Sequence, residues 1–302
     1  MDPLAITDLT KHFGPVRALH GVTFTVAPGE VFGYLGPNGA GKTTTLRIAL
    51  GLVRQTSGGA RLFGRTATDA ASRADIGFVP GDLRLYADMT ALATLDFFAR
   101  FRPSRPPRLR EKLLDAFALD GATLGRRIKY LSHGTRQKVG LIAAMQHDPA
   151  LLLLDEPSNG LDPLVQHAFR QTVRDFAARG HSVLLSSHVL SEAEAVCTRV
   201  AIIRKGEIVA LETIERLRAS MVRKLTARFR GTPPDLSDVP GISKVEARGN
   251  ELVMWVRGHP APILAAIAAA DVEDVVFPEP ELEDIFLGYY REPGDRPDAT
   301  HA

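Results

Sequence analysis

Gly36-Pro37-Asn38-Gly39-Ala40-Gly41-Lys42-Thr43-Thr44 decides how the rest of the chain is read. The apolar run Val31-Phe32-Gly33-Tyr34-Leu35 precedes it and Leu46-Arg47-Ile48-Ala49-Leu50 follows, which reads as strand, glycine-rich turn and helix. That order suits a phosphate-binding loop. Glycines at 36, 39 and 41 let the backbone curl until several N–H groups aim at one anion, and the helix opening near Lys42 adds its positive end. Lys42 can reach the β- and γ-phosphates of a nucleotide, the Thr43 hydroxyl is placed to hold Mg²⁺, and Thr44 to hydrogen-bond a phosphate oxygen. The plain alternative is a glycine turn capping an ordinary helix. The full G-x-x-x-x-G-K-T spacing between a strand and a helix argues against it.

Further along, Leu151-Leu152-Leu153-Leu154 is an apolar run of the kind buried on both faces of a parallel sheet, and it ends in Asp155-Glu156. In doubly wound sheets the carboxyl ends of such strands lie beside the ligand. Asp155 is therefore expected to orient Mg²⁺, and Glu156 to polarise the attacking water as general base. Between these two sites, Leu131-Ser132-His133-Gly134-Thr135-Arg136-Gln137 puts a hydroxyl and a glycine ahead of a helix expected to begin near Arg136. Taken alone it is an N-cap that could also receive an anion.

Strand and helix patterns alternate over the first two-thirds of the chain, which predicts an α/β fold whose core sheet is mainly parallel. Residues 4–10 and 19–26 form an antiparallel β subdomain with a turn at Phe13-Gly14, and residues 91–145 form an inserted helical subdomain. The basic, proline-containing stretch 100–110 reads as a solvated inter-helix loop, with a phosphate or anionic-lipid contact as the alternative. The rhythm changes near Met221, so residues 1–220 are expected to form the nucleotide-binding domain and 221–290 a small C-terminal α+β domain. The tail 291–302 reads as disordered.

A length of 302 residues leaves room for one large and one small domain. The net charge of +2 is too slight to imply a nucleic-acid partner. The single cysteine, Cys197, excludes a disulfide framework and fits a reducing compartment. No run approaches the roughly 18 apolar residues of a membrane span, and Met1-Asp2-Pro3 does not open a secretory signal. Any membrane-spanning part is expected from another chain.

Taken in order, these motifs resemble those of the ATP-binding subunits of ABC transporters, over roughly residues 4–215. Gly36 to Thr44 match the Walker A loop of that family and Leu151 to Glu156 its Walker B strand. Leu131 to Thr135 resemble its Leu-Ser-Gly-Gly-Gln signature; Ser132 and Gly134 are kept, while His133 stands for a glycine and Thr135 for the glutamine. Asn159-Gly160-Leu161-Asp162 looks like the D-loop, His188 in Ser186-Ser187-His188 like the switch histidine, and Phe13 like the aromatic that stacks on adenine. The resemblance implies a P-loop NTPase core that hydrolyses ATP with Mg²⁺, Glu156 and His188 being catalytic. It also implies two such subunits, here a homodimer, sandwiching two ATP molecules between the Walker A loop of one and the signature of the other. A separate membrane-spanning permease would be driven from the cytoplasmic face of the cell membrane.

One position departs from the pattern. Where the family has a glutamine after the strand ending near Val79-Pro80, this chain has Gly81 followed by Asp82, and Asp82 is the candidate to take over a metal or water contact. Residues 279–287 resemble the ending of an accessory domain found in an exporter-type branch, whose role could be regulatory, dimer-supporting or passively stabilising. A ribosome-acting relative would carry two such domains, and a chromosome-maintenance relative a long coiled coil between its motifs. Neither pattern is present in these 302 residues.

Overall fold

The computed structural model describes residues 1–219, 222–258 and 260–278. They fall into two compact units, divided between Glu212 and Thr213. The sequence rhythm places the boundary near Met221, which is itself outside the described residues. The division comes earlier because a short helix, not read from the sequence, opens the second unit.

In the first unit β1 (Leu4–Phe13), β2 (Val16–Val26) and β3 (Val31–Leu35) lead to α1 (Lys42–Ala49), followed by β4 (Ser57–Leu62), β5 (Arg65–Thr66) and β6 (Ile76–Val79). The helical block holds α2 (Ala91–Arg100), α3 (Arg110–Ala116), α4 (Gly121–Leu124) and α5 (His133–Met145). Then come β7 (Leu151–Asp155), α6 (Pro163–Ala178), β8 (Ser182–Ser187), α7 (Leu190–Glu194), β9 (Arg199–Arg204) and β10 (Glu207–Thr213).

A four-stranded antiparallel sheet has the order β2-β1-β4-β5. The six-stranded sheet has the order β10-β9-β3-β8-β7-β6, and β9, β3, β8, β7 and β6 run parallel. This is the mixed α/β fold with a mainly parallel sheet that the sequence predicts. Every residue of β3, β7 and β8 is buried, as parallel strands covered on both faces require. The register sets Asp155 beside Ser186 and Leu35 beside Ser187, so the carboxyl ends of β3, β7 and β8 share one edge. α1 packs on strands of both sheets through Leu46 and Ile48, in a core that also holds Leu4, Phe24, Phe32, Leu151 and Ile203. Full burial of such a side chain contributes about 1.5–3 kcal/mol, which fixes the helix that receives the phosphate loop.

The helical block is held by arginines rather than by apolar contact alone. Arg102 donates to the Ile76 carbonyl at 2.8 Å, and Arg105 grips the Asp75 carboxylate with both terminal nitrogens. Arg110 donates to Asp96 at 2.6 Å and to Gln146 at 2.8 Å. The stretch read as a solvated loop therefore turns three of its guanidinium groups onto protein partners, in charge-assisted hydrogen bonds that are roughly twice as strong as neutral ones. α5 also begins three residues earlier than the sequence suggested. Ser132 accepts from the Thr135 N–H at 3.2 Å, and this cap brings His133 to Thr135 into the first turn.

The second unit contains α8 (Ile214–Ala219), β11 (Val222–Phe229), β12 (Ile242–Arg248), β13 (Glu251–Arg257), α9 (Ala261–Ala268) and β14 (Val272–Val276). Its antiparallel sheet has the order β12-β13-β11-β14. Leu225, Ala227 and Phe229 of β11 and Leu252, Met254 and Val256 of β13 alternate onto the face that Ile263 and Ile267 of α9 cover. The ending at 279–287 and the tail 291–302 lie outside the described residues.

Candidate nucleotide-binding site

The phosphate loop is shaped by two kinds of glycine. Gly39 and Gly41 have φ of 81° and 112°, a region that side-chain-bearing residues avoid. Gly36 is needed for space, since a Cβ there would stand 2.4 Å from the Ile203 carbonyl oxygen. Behind the loop, Tyr34 Oη and Thr45 Oγ1 hydrogen-bond at 3.1 Å and Thr45 Oγ1 donates to the Gly41 carbonyl at 3.0 Å, tying β3 to α1. Burial pushes the Tyr34 phenol well above its ordinary value, so it stays a neutral hydrogen-bonding group.

Lys42 is only 5% exposed and its ammonium donates to the carbonyls of Gly36 at 2.5 Å and Pro37 at 3.3 Å. The same ammonium lies 3.2 Å from Glu156 Oε1. That ion pair falls short of hydrogen-bond geometry, so Glu156 Oε1 is a buried oxygen without a hydrogen-bond donor. The other carboxylate oxygen, Oε2, accepts from His188 Nδ1 at 2.7 Å. Because the carboxylate can only accept, Nδ1 carries the proton. Glu156 itself sits at φ 50°, and its N–H is held by the Ser186 carbonyl and hydroxyl, both at 3.2 Å. Such left-handed geometry in a non-glycine residue persists where its surroundings over-determine it, often at a site of chemistry.

Asp155 lies beside this cluster with both carboxylate oxygens occupied. Thr43 Oγ1 donates to Oδ2 at 2.7 Å and Ser186 Oγ to Oδ1 at 2.5 Å. Ser186 was not singled out from the sequence; the only signal was its place at the end of the strand preceding His188. Among the described residues no group of three or more His, Cys, Asp or Glu side chains is arranged to hold a metal. The donors at this place are the Thr43 hydroxyl and the Asp155 carboxylate, hard oxygens of the kind Mg²⁺ takes when phosphates and water complete its shell.

The structure brings together Gly36 to Thr44, Asp155, Glu156 and His188. It does not bring Asp82 into the group. The Asp82 carboxylate accepts from Arg47 at 3.2 Å in an exposed ion pair, which opposes its reading as a metal ligand. Gly81 is the residue that meets Asp155: a Cβ there would stand 3.2 Å from Oδ2. Phe13 ends β1, half-exposed, with the Lys11 ammonium 4.6 Å from its ring centre. Ser132 caps α5 and shares a 2.8 Å hydrogen bond with the Thr135 hydroxyl. Asp162 caps α6 by accepting from Val165 at 3.0 Å, and Pro163 takes the first helical position.

A family model described as ABC transporter matches residues 19–159. Nod factor export ATP-binding protein I of Paraburkholderia xenovorans (strain LB400) is 35% identical over 291 residues, covering 92% of this chain and 93% of its own. An uncharacterized ABC transporter ATP-binding protein of Bacillus subtilis (strain 168) is 36% identical over 217 residues, 70% of each chain. Among solved structures, an ATP-binding subunit of an ABC transporter superposes with a TM-score of 0.66 at 31% identity, covering 71% of this chain and 91% of that one. A dimeric ATP-binding cassette in a post-hydrolysis state with ADP and Pi shares the fold, with a TM-score of 0.63 at 24% identity, covering 70% and 98%.

Proposed function

Since this chain belongs to the family of ABC transporter ATP-binding proteins and is an ATPase, we propose that two copies close around ATP and drive export through a separate membrane subunit. The observation that carries the reading is the chain of contacts Lys42–Glu156–His188 beside Asp155–Thr43, at the edge where β3, β7 and β8 end. It supplies what hydrolysis of a phosphoanhydride needs: a cation for the phosphates, a base for water and a group that orients the base.

In this reading the Gly36 to Thr44 amides and Lys42 hold the β- and γ-phosphates, and Phe13 stacks on the base. Transfer of Lys42 from Glu156 to a phosphate frees Oε1, an oxygen already lacking a donor, to accept a proton from water. His188 holds the opposite oxygen, so the carboxylate cannot rotate as its first partner leaves. Thr43 and Asp155 are the residues that would hold Mg²⁺. When bound, that ion neutralises charge building on the phosphate oxygens.

Ser132 and Gly134 present a hydroxyl and backbone amides at the start of α5, a donor set for the γ-phosphate on a second copy. Among the described residues no helix is long and apolar enough to cross a membrane, consistent with a partner that supplies the spans at the cytoplasmic face. The export direction rests on the relatives named for Nod factor export. Cargo selection is assigned to the membrane partner.

Glu156→Gln tests the reading. It keeps the shape of the side chain but removes the base, so the variant should bind ATP and accumulate as a dimer by light scattering. A variant that stays monomeric at saturating ATP excludes the sandwich.

A further inference from the structure

Four contacts dock the first turns of α5 on the loop that leaves Glu156. Gln137 Nε2 donates to the Pro157 carbonyl at 3.0 Å in a buried hydrogen bond, and the Lys138 ammonium lies 3.9 Å from Asp162 Oδ2. Gly134 approaches so closely that a Cβ on it would stand 2.3 Å from the Gly160 carbonyl oxygen. The fourth contact is the His133 ring on Gly160: a Cβ at 160 would meet His133 Cδ2 at 2.3 Å and Nε2 at 3.0 Å. Gly160 has φ 75°, so its backbone is open on the side the imidazole covers.

A glycine at 133, as in the motif this turn resembles, would leave that side of Gly160 bare. The middle of the loop from Glu156 to Asp162 would then meet α5 only through the close approach of Gly134 to the Gly160 carbonyl, with Gln137 and Lys138 holding its two ends. We propose that His133 is a positioning residue: its imidazole, lying on the Gly160 backbone, clamps the signature turn to the loop that leaves Glu156. The turn that carries Ser132 and Gly134 is then held in register with the loop that leaves Glu156. The assignment rests on the paired-subunit reading, because only there do that turn and Glu156 serve different ATP molecules. The contact is between a ring edge and backbone atoms, so a flat ring without a titratable nitrogen can replace it.

The test is a double-mutant cycle in kcat for ATP hydrolysis with His133→Ala, Gly160→Ala and the pair, alongside His133→Phe. His133→Ala should lower kcat about tenfold, within the range expected for a small misplacement of a catalytic group, and leave ATP affinity within about twofold. His133→Phe should recover most of the loss. Gly160→Ala carries its φ strain in both backgrounds, so that cost cancels. The collision with the ring does not, and Gly160→Ala should be at least about fivefold less damaging when His133 is already alanine. Melting temperatures check that all variants fold. Independent, multiplying effects overturn the assignment, as does a phenylalanine variant as slow as the alanine one, which would mean that the imidazole acts directly on nucleotide. The Glu156→Gln dimer assay reads the paired-subunit reading separately: a normal ATP dimer with an additive cycle removes only the role of His133.

Discussion

Lys42 and Glu156 stand 3.2 Å apart as a largely buried ion pair, with side-chain exposures of 5% and 13%. Two charges are left out of water here, and each depends on the other for compensation. In the proposed mechanism a phosphate arriving at Lys42 removes the cationic partner of Glu156 at the moment a base is needed. On that proposal, nucleotide binding and activation of the base are the same exchange of partners.

The same proposal gives His188, hydrogen-bonded to Oε2 at 2.7 Å, the part of keeping Glu156 aimed during that exchange. His188→Ala should lower kcat by about 100-fold or more, the usual scale for losing a positioned acid–base partner, with little change in KM for ATP. Steady-state hydrolysis decides the matter. A variant that loses affinity while keeping kcat would place His188 in nucleotide binding instead.

How far these residues could be read from the sequence depends on what marks them. The phosphate loop is legible because its glycines answer to backbone geometry at fixed spacing, and Asp155-Glu156 because four leucines announce a buried strand ahead of them. Ser186 is different. Its role comes from the register that sets it beside Asp155, from a strand 31 residues further along, and a serine in a strand carries no mark of that. The contacts of the arginines in the stretch 100–110 are hidden for a similar reason: a run of charges does not say which of them will find Asp75 or the Ile76 carbonyl.

Ser186→Ala removes the donor to Asp155 Oδ1 and leaves the Thr43 contact in place. Loss of a hydrogen bond behind a metal-holding carboxylate typically weakens metal binding about 10- to 100-fold. Titrating hydrolysis with Mg²⁺ should therefore show a higher half-saturation for Ser186→Ala, at nearly unchanged ATP affinity measured without metal. An unchanged Mg²⁺ curve would show that Asp155 is oriented by Thr43 alone.

Asp82 was the candidate to replace the missing glutamine, and the structure gives it to Arg47 in an exposed pair. Pairs of that kind contribute about 0–1 kcal/mol to stability. Asp82→Ala should leave Mg²⁺-dependent hydrolysis within about twofold of the parent and the melting temperature nearly unchanged. A marked shift in the Mg²⁺ requirement would return Asp82 to the metal site.

One source of acid sensitivity is His147, just past the end of α5. His147 is 5% exposed, its Nε2 has no hydrogen-bond partner, and burial, with help from the Arg102 guanidinium, pushes its pKa down to about 4. The unfolded chain takes up that proton near pH 6.5, whereas the folded one does not until about pH 4. Stability is therefore full above pH 6.5 and declines as pH falls toward 4, by up to roughly 3 kcal/mol from this one group. His147→Gln, which stays neutral throughout, should flatten the difference between denaturant midpoints measured at pH 7 and pH 5. An equal acid loss in parent and variant would assign it to other groups.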